Sequence, residues 1–550
     1  MSATAGAATQ CEASPVPFQR QMSIVSWSLS KGFFPQEANV PCTTINVCLY
    51  MRSLPLKTDL ESLFDSHLLR TRGYERMRSV PLGWRWRQVE VTVQDHFTEH
   101  TVQSADDLHK AIEALMDRPF DTSRPRWEVH LMAAADSSEG SSSCLLIRID
   151  HSIADGLGIL MLLHRCGFIK AENGQVLPLP DLIGIRRDTR APSIDAADGD
   201  AHESEVTEAK EATEASEVSG DDSRWTKVEP LAPGLVTGRM KRTWVEWAMG
   251  VFQFSKAVVA ALGDSMGRFD SDFYFNGSLD RRKNLKYGRR KLVTFPPLRL
   301  SYLKAVKSAV GGVSLTDVLL TILTGALRRC VTEMQDSKAK IGTSLGGRLG
   351  WVVDRYGSLV GDPLTQSEDG TTLLRSLTAM VLPRSLDEDV PADRVLRNGF
   401  VLVSTQLPIH IADPKDRLRQ MAQTTARLKT RHQQMATYTL MATVGPVAPW
   451  WFTSKTCLDL FSRHSLVVSN VPGPKELCTF CDKPVHDVQV VYPNLVPQLM
   501  FVSYAGRLRT NFVIDPDLWP QHHQLGSFIV AEALELAKSV GVTQGHPLED

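Results

Sequence analysis

The sequence predicts a mixed α/β fold made of two units joined by a linker. Its 550 residues are more than one hydrophobic core usually organises, and this length favours two or three domains. Hydrophobic residues make up 43% and charged residues 22%, a globular balance that argues against a wholly disordered or multi-spanning membrane protein. Strand-like and helix-like patterns alternate on both sides of one acidic segment, as is typical of mixed α/β units.

The first unit is predicted over residues 17–190, after a small, polar tail at residues 1–16. Strand candidates combine β-branched, aromatic and apolar residues, and helix candidates repeat apolar residues on one face. Ser104 precedes one of the helices and is a residue type that caps helix N-termini. The strands are Thr43–Arg52, Trp84–Val93, Trp127–Ala133 and Ser143–Asp150, and the helices are Leu60–Leu69, Ala105–Met116 and Leu157–Leu163.

Residues 191–224 are predicted to be a disordered, acidic linker. Between Ile194 and Asp222 the chain has eleven acidic residues against one basic residue, Lys210, and no aromatic residue. This segment carries a formal charge of −10, and because the whole chain carries −1, the remainder carries +9. The near-neutral total gives no sign of a nucleic-acid partner, whereas the mildly basic body suits an acidic surface or a polyanionic ligand.

The second unit is predicted over residues 225–550 and is again mixed α/β. A cleft between two such units is a preferred place for a ligand site. The helices are Leu300–Ala309, Thr316–Val331 and Pro414–His432, and the strands are Arg289–Phe295, Phe400–Gln406, Ser465–Ser469, Asp487–Tyr492 and Leu499–Tyr504.

The lack of a secretory signal pattern and the scattered cysteines together predict a cytosolic setting. The N-terminus lacks the apolar core of a secretory signal, and nine scattered cysteines favour reduced thiols. Cys478 and Cys481 form a C-x-x-C pair, but no second pair stands at zinc spacing, so we expect no metal site. Trp247–Leu262 is apolar apart from Lys256 and shorter than the about 20 residues of a spanning helix. It is either an interfacial helix or an ordinary buried helix.

A histidine at the end of a strand is the first candidate for chemistry. In Leu145–Gly156 an apolar run ends before His151, the chain turns, and a helix starts near Gly156. A strand holds the imidazole rigidly, and its unperturbed pKa of about 6.5 suits proton transfer near neutrality. Asp155 lies at the bend, where it can bond backbone amides or pair with an arginine. The alternative is a capping aspartate beside an incidental histidine.

Two other sequence patterns could indicate a functional site. The G-x-S-x-G segments Gly263–Gly267 and Gly342–Gly346 lack the preceding strand that a nucleophile elbow needs, so a serine hydrolase is not expected. Residues 281–291 form a basic run, for which a solvated surface, CoA phosphates and anionic lipid headgroups all stay open.

Several motifs in sequence resemble the wax ester synthase/acyl-CoA:diacylglycerol acyltransferase family of the condensation-domain superfamily. The resemblance runs from about residue 17 to near the C-terminus and omits the linker. A set of ordered motifs is far more specific than any one of them. The motifs are residues 118–131, His151-Ser-Ile-Ala-Asp-Gly156, residues 275–282, residues 314–328, Ser469-Asn-Val-Pro-Gly-Pro474 and Tyr504-Ala-Gly-Arg-Leu with Asp515.

The resemblance implies two chloramphenicol-acetyltransferase-like domains with an active-site tunnel at their interface. His151 would be the general base that takes the hydroxyl proton of a fatty alcohol or diacylglycerol as the oxygen attacks the acyl-CoA thioester. Asp155 would be architectural, and Gly156 would let the turn pass close to the substrate. No metal, cofactor or covalent acyl-enzyme is implied, because positioning and oxyanion stabilisation carry the rest.

One position departs from the family pattern, which has two adjacent histidines. Asp150 occupies the first position here, and since successive strand residues face opposite sides, we expect it to point away from the channel. Asp317 and Asn470 match family motifs and are supporting candidates, with helix capping and a turn as the respective structural alternatives. Arg124 and Trp127 are expected to orient a strand rather than touch substrate.

The sequence therefore predicts an acyl-CoA-dependent O-acyltransferase that forms wax esters or triacylglycerol. We expect it at the cytosolic face of a membrane, at the endoplasmic reticulum or a lipid droplet, with acyl-CoA as co-substrate. Two alternatives stay open. One is a relative in the same superfamily that acylates another hydroxyl or an amine, and the other is a catalytically silent lipid-binding protein.

Overall fold

A computed structural model describes thirteen segments of the chain. The acidic linker, the tail at residues 1–16, Trp247–Leu262 and Gly342–Gly346 lie outside them. The described residues are 19–31, 34–41, 43–135, 143–183, 263–264, 267–273, 275–333, 373–382, 384–386, 390–430, 433–445, 447–519 and 521–548.

The strands of the described residues fall into three sheets, and their bounds follow in chain order. They are β1 (Gln19–Gln21), β2 (Thr44–Met51), β3 (Ser79–Leu82), β4 (Arg85–Gln88), β5 (Phe97–Val102), β6 (Trp127–Ala134), β7 (Ser143–Asp150), β8 (Ile169–Ala171), β9 (Lys291–Thr294), β10 (Leu298–Arg299), β11 (Arg375–Val381), β12 (Phe400–Gln406), β13 (Leu466–Pro472), β14 (Cys478–Phe480), β15 (Lys483–Val491), β16 (Gln498–Tyr504) and β17 (Arg507–Ile514).

The helices cover the sheets and connect their strands. They are α1 (Ile24–Ser30), α2 (Lys57–Leu63), α3 (Ala105–Leu115), α4 (Gly156–Arg165), α5 (Leu179–Ile183), α6 (Leu279–Lys283), α7 (Leu300–Val310), α8 (Leu315–Glu333), α9 (Ala392–Val395), α10 (Pro414–Thr430), α11 (Gln433–Val444), α12 (Trp450–Ser462) and α13 (Leu525–Ser539). Short 3-10 helices span Gln36–Ala38, Glu75–Arg78, Val93–His96 and His522–Gln524, and a π-helix spans Phe64–Leu69.

The first large sheet has the strand order β5-β6-β7-β2-β15-β14-β8. Strand β7 lies between β6 and β2, and it pairs with β2 along its whole length, from Thr44 opposite Asp150 to Met51 opposite Ser143. All eight residues of β7 are buried, as expected of a strand covered on both faces. The end of β7, from which the candidate histidine follows, is therefore fixed by the middle of a sheet.

The second large sheet has the order β10-β17-β16-β13-β11-β12, with β9 also paired to β17. Strand β13 runs parallel to both neighbours, β11 and β16. Helices α8 and α13 pack against each other beside this sheet and bury a core that includes Leu323, Phe512 and Ala533. A separate core fills the first unit around Trp127 and Ile147.

The domain prediction placed all strands after residue 224 in the second unit, and the observed sheet order differs from this for two strands. Strands β14 and β15 belong to the first sheet although they lie in the segment 225–550 that was assigned to the second unit. Strand β15 pairs with β2, so Val491 lies opposite Asn46. The pairing joins segments more than 400 residues apart, and local sequence patterns carry no information about such a partner.

Most of the predicted elements are confirmed. Ser143–Asp150 and Phe400–Gln406 form strands with the predicted bounds, and the Ser104 hydroxyl accepts a hydrogen bond from the Asp107 amide at the start of α3. The predicted strand Trp84–Val93 is shorter and ends at Gln88. The prediction missed several elements, among them β5, β11, β17, α11, α12 and α13.

Within the described ranges, no single helix is both long enough and apolar enough to cross a bilayer. The helices Leu300–Val310 and Leu315–Thr332 reach that length and hydropathy only when they are counted together, and the chain bends by 102° between them.

Candidate active site

A cavity of about 580 Å³ is lined by elements of both large sheets. This volume lies in the range of ordinary small-molecule sites. Its walls are mainly aliphatic, and the polar side chains that reach it come from only a few positions. The apolar lining includes Val47, Leu49 and Val490 from the first sheet, Leu402, Val467 and Val502 from the second, and Leu160 and Leu163 from α4.

His151 lines this cavity directly after the end of β7. Its backbone amide donates to the Thr43 carbonyl at 2.7 Å, which extends the β7–β2 pairing by one residue and fixes the Cα position. Its ring lies 4.8 Å from the Phe400 ring and 5.7 Å, edge to face, from the Tyr492 ring, measured between centroids. The imidazole thus contacts one aromatic ring from each large sheet, Phe400 at the start of β12 and Tyr492 directly after β15, and backbone pairing with Thr43 holds its Cα position.

Asn398 determines which ring nitrogen of His151 carries the proton. The Asn398 amide nitrogen lies 2.7 Å from the His151 carbonyl oxygen and 3.2 Å from that of Ser152, and carbonyl oxygens only accept, so this atom must be the NH₂ group. The Asn398 oxygen consequently faces Nδ1 of His151 at 3.0 Å. Because that oxygen only accepts, neutral His151 carries its proton on Nδ1 and a lone pair on Nε2.

The surroundings keep this imidazole neutral near pH 7. Burial lowers the pKa of His151 below its usual value, while the charge of Asp155 and the hydrogen bonds to the backbone carbonyl of His151 and to Asn398 act in the opposite direction. Burial is the largest of these effects. A neutral imidazole with Nε2 unprotonated is the form that a general base needs.

Asp155 fixes the turn that follows His151. Its carboxylate accepts from the Gly158 amide at 2.8 Å at the N-terminus of α4, and from the Gly399 amide at 2.9 Å. Arg384 pairs with the same carboxylate at 2.6 Å, and both side chains are buried. Asp155 therefore ties α4 to the segment that carries Asn398.

Arg384 is only partly satisfied by this ion pair. Its Nε and Nη1 atoms are buried and have no hydrogen-bond partner among the described residues, and Arg384 also lines the cavity. A buried donor without an acceptor costs about 1–3 kcal/mol. An acceptor atom of a bound molecule would relieve this cost.

Two glycines shape the turn differently. A Cβ added to Gly156 would meet no protein atom within 4 Å, so this residue leaves its space to the cavity that it lines. A Cβ added to Gly158 would come within 2.9 Å of the Val395 carbonyl oxygen, so α4 approaches α9 too closely for a larger residue.

Asp150 points away from the cavity, as the strand alternation predicts. Its carboxylate accepts from the Ser152 amide at 2.8 Å and pairs with Arg126 at 3.3 Å. Asp150 is 3% exposed and does not line the cavity. The Arg126 partner offsets its charge, and the departure from two adjacent histidines leaves the ring of His151 in place.

A chain of polar side chains lies on the second sheet at the cavity wall. Asn494 donates to the side-chain oxygen of Gln498 at 3.0 Å, and Gln498 donates to the Ser469 hydroxyl at 3.1 Å. All three residues line the cavity. Because the Ser469 oxygen accepts from Gln498, its own proton points elsewhere, and Ser469 is a hydroxyl donor on the wall formed by β13.

The two supporting candidates lie close together but differ in exposure to the cavity. Asn470 lines the cavity beside Ser469, and its amide donates to the Thr316 hydroxyl at 3.3 Å. Asp317 does not line it. The Asp317 carboxylate accepts from the Ser314 amide at 2.7 Å and from the Thr425 hydroxyl at 2.5 Å, so Asp317 caps the start of α8. It directly follows Thr316, the residue that Asn470 contacts.

The remaining sequence candidates lie in structural contacts. Trp127 is buried and its ring nitrogen donates to the Met77 carbonyl at 2.7 Å, while Arg124 pairs with Asp95 and Asp121. Cys478 lines the cavity and faces the Tyr504 hydroxyl at 3.4 Å. No group of three or more metal-ligating side chains is found in the part of the chain that the structure describes.

The basic run at residues 281–291 is largely engaged within the protein. Arg281 pairs with Asp515 at 2.6 Å, Arg282 with Asp272, and Arg289 with Asp517 at 2.8 Å. Arg290 is buried and donates to the backbone carbonyls of Asn494 and Leu495.

Sequence reasoning missed Asn398, Arg384, Ser469 and Gln498 as members of the site. Ser469 stands inside a motif that was recognised, so its type and position were available. Asn398 and Arg384 follow no local pattern, and they reach His151 and Asp155 across 247 and 229 residues of chain.

Comparison with known proteins agrees with the motifs. Residues 70–203 match the profile of the wax ester synthase/diacylglycerol acyltransferase catalytic domain, and residues 396–537 match that of the WS/DGAT C-terminal domain. Together the two segments make up half of the chain. Wax ester synthase/diacylglycerol acyltransferase 8 of Arabidopsis thaliana is 23% identical over 83% of this chain and 85% of its own.

Two solved structures establish the fold class. The first condensation domain of the CDA synthetase aligns with a TM-score of 0.52 at 12% identity, over 98% of this chain and all of that one. The TRI3 trichothecene 15-O-acetyltransferase of Fusarium sporotrichioides also gives 0.52, at 11% identity, over 94% of this chain and 95% of that one. The expected pair of chloramphenicol-acetyltransferase-like domains is confirmed. The chain belongs to the wax ester synthase/diacylglycerol acyltransferase family of O-acyltransferases.

Proposed function

We propose that this protein transfers a long-chain acyl group from acyl-CoA to the hydroxyl of a fatty alcohol or a diacylglycerol, with His151 as general base. One observation carries the proposal: Asn398 leaves the lone pair on Nε2 of an imidazole that lines an apolar cavity. The membership of the family supports the same reaction class.

In the proposed reaction, Nε2 of His151 takes the hydroxyl proton as the acceptor oxygen attacks the thioester carbon. The tetrahedral intermediate then expels CoA thiolate, and the imidazolium returns its proton to the thiolate sulfur. The new ester bond replaces the thioester bond, so the histidine ends neutral and no covalent acyl-enzyme forms. Asn398 favours the imidazolium as well as the reactive tautomer, because its oxygen keeps the bond from Nδ1–H throughout.

The oxyanion needs a donor that is already in place. We assign this role to the Ser469 hydroxyl, whose oxygen is held by Gln498 and whose proton is left for a ligand. Arg384 offers further donors at the same cavity, for a substrate carbonyl or the pantetheine amides of CoA.

The aliphatic walls favour a long hydrocarbon chain over a short polar one. Each methylene removed from water contributes about 0.8 kcal/mol, so chain length sets a large part of the binding free energy. A lipid acceptor also agrees with the expected location at the cytosolic face of the endoplasmic reticulum or a lipid droplet, which remains part of this proposal.

A second candidate is an acyltransferase of the same fold that acts on another hydroxyl or an amine. The TRI3 trichothecene 15-O-acetyltransferase has the same fold and aligns with this chain at a TM-score of 0.52. A lipid-binding protein without activity is the third.

The experiment compares the wild type with His151→Ala and with the control His67→Ala, at an exposed histidine outside the cavity. Ester formation is measured from palmitoyl-CoA with hexadecanol and with diolein. We expect product from at least one acceptor, its loss by about 10²- to 10⁴-fold in His151→Ala, and no change in His67→Ala. Equal product from His151→Ala would refute the base, and no product from the folded wild type would refute the substrates.

A further inference from the structure

The connection between α11 and α12, together with the start of α12, carries an exposed apolar tip, defined here as residues 444–445 and 447–452. Val447 is 81% exposed and Trp451 70%, and the side chains of Val444 and Phe452 are also exposed. Single exposed apolar residues are common on proteins, but four within nine residues of one turn form a patch of the kind that marks an interaction surface.

The tip lies within a long run of uncharged residues. The 22 residues from Gln433 to Ser454 contain no Asp, Glu, Lys, Arg or His. Lys455 follows at once, and about half of its side chain is exposed although it pairs with Asp459 at 3.4 Å. An uncharged tip with a basic residue at its base suits the interface of a lipid phase, where tryptophan lies at headgroup depth and lysine reaches the phosphates.

Aromatic packing ties the tip to a second exposed position. Trp450 packs edge to face on Trp27, with 5.0 Å between ring centroids, and Trp27 stacks on Trp84 at 3.8 Å. Trp84 lies in the turn between β3 and β4, which is flanked by Leu82, 56% exposed, and by the exposed Arg85. The exposed apolar and basic side chains that flank this turn are therefore connected to the tip through the three packed tryptophans.

The same elements lead to the cavity. Helix α12 begins at the tip and carries Phe461, a cavity residue, ten positions after Trp451, which is about 15 Å along a helix. Val381 lines the cavity and is 47% exposed, so it lies at the cavity rim. Its neighbour Met380 packs against the same buried cluster as Met441 of α11. Helix α12 thus runs from the tip to a cavity residue, and α11 packs near the rim of the cavity.

We propose that the tip, at residues 444–445 and 447–452, inserts into the headgroup region of a lipid surface and that lipid acceptor reaches the cavity from that surface past Val381. A lipid surface fits better than a protein partner, because the tip offers no charge for a specific ion pair and is bordered by basic side chains that match anionic headgroups. The delivery of acceptor rests on the proposed function, whereas the insertion does not.

The first test measures binding of the full chain to phosphatidylcholine vesicles, with and without phosphatidylserine, by flotation. The double variant Trp451→Ser/Phe452→Ser removes the two exposed aromatic side chains of the tip, leaves Trp450 in place and does not change the cavity lining. Val176→Ser/Leu534→Ser is the control, because it removes exposed apolar side chains elsewhere. We expect the double variant to bind at least about tenfold more weakly, or about 1.4 kcal/mol, and the control to stay within about twofold.

A second variant, Val447→Asp, places a charge at the most exposed position of the tip and cannot disturb a core. It is expected to reduce vesicle binding as strongly as the double variant. Unchanged binding by both variants would overturn the proposal. A wild type that ignores vesicles but forms a dimer in light scattering, dissociated by Val447→Asp, would overturn it in favour of a second copy of the chain.

The activity arm separates this inference from the proposed function. Ester formation from diolein is measured once in vesicles and once in detergent micelles. We expect Trp451→Ser/Phe452→Ser to lose about tenfold in vesicles and to keep the wild-type rate in detergent, where no surface has to be reached. The same pair of assays is run with hexadecanol as acceptor, and if the wild type makes ester from neither acceptor in either medium, the proposed function fails while the flotation result still decides the docking surface. Equal loss in both media would overturn the role in acceptor delivery.

Discussion

Replacing Asn398 tests whether its side-chain amide determines which ring nitrogen of His151 carries the proton and how strongly the ring holds a second one. In Asn398→Asp, the atom 3.0 Å from Nδ1 becomes part of a carboxylate in a buried position. Two opposite charges about 4 Å apart interact by about 4 kcal/mol at an effective dielectric constant of about 20. Divided by 1.36 kcal/mol per pKa unit, this is about three units, and measured shifts of this kind are about one to three.

We therefore expect the acid limb of kcat/KM in Asn398→Asp to move up by about one to three pH units, because the imidazolium is stabilised and the base stays protonated at pH 7. Asn398→Ala has no such charge. It loses one hydrogen bond to the ring, worth about 0.5–1.5 kcal/mol, so kcat/KM should fall by about two- to tenfold without an upward shift.

The assay is the pH dependence of kcat/KM for ester formation, with thermal unfolding recorded for each variant since Asn398 also bonds the Ser152 carbonyl and the Ser26 hydroxyl. Asn284→Asp, which adds the same charge at an exposed position outside the cavity, is the control. An acid limb that stays at the wild-type pH in folded Asn398→Asp would refute the assignment of Nδ1 to this amide.

Three further outcomes follow from the site. Asp155→Asn breaks a buried ion pair with Arg384 and should lower the free energy of unfolding by about 3–5 kcal/mol in urea denaturation, and a loss below about 1 kcal/mol would contradict the pair's structural role. In the wild type, burial lowers the pKa of His151, so the rate of ester formation should fall on acidification only below pH 6.5. A rate that is already halved above pH 6.5 would contradict His151 as the titrating base. Ser469→Ala should lower kcat by about 10²-fold, and an unchanged kcat removes Ser469 from oxyanion binding.

Local features of the fold were predictable because their causes are local. Strand β7 is apolar throughout, and the turn that follows it contains His151, Asp155 and Gly156 within six residues. Helix α3 begins after a serine whose hydroxyl accepts from the Asp107 amide. In each case the residues that define the element also lie next to each other in the chain.

The rest depended on contacts that the sequence order hides. Strand β15 completes the first sheet by pairing with β2, and no short pattern specifies that partner. Asn398 and Arg384 belong to the site only because the second unit brings them to the turn after β7. The uncharged run from Gln433 to Ser454 is visible in the sequence, but the exposure of its apolar side chains follows from packing.

The central claim is that Nε2 of His151 is the base, and chemical rescue tests it most directly. His151→Ala leaves a space beside Phe400 and Asn398 into which imidazole can diffuse. Turnover of this variant, measured with rising imidazole concentration at pH 7.5, should be very low without imidazole and should increase with it until the space is saturated. If His151→Ala turns over at the wild-type rate in the absence of imidazole, the claim is contradicted.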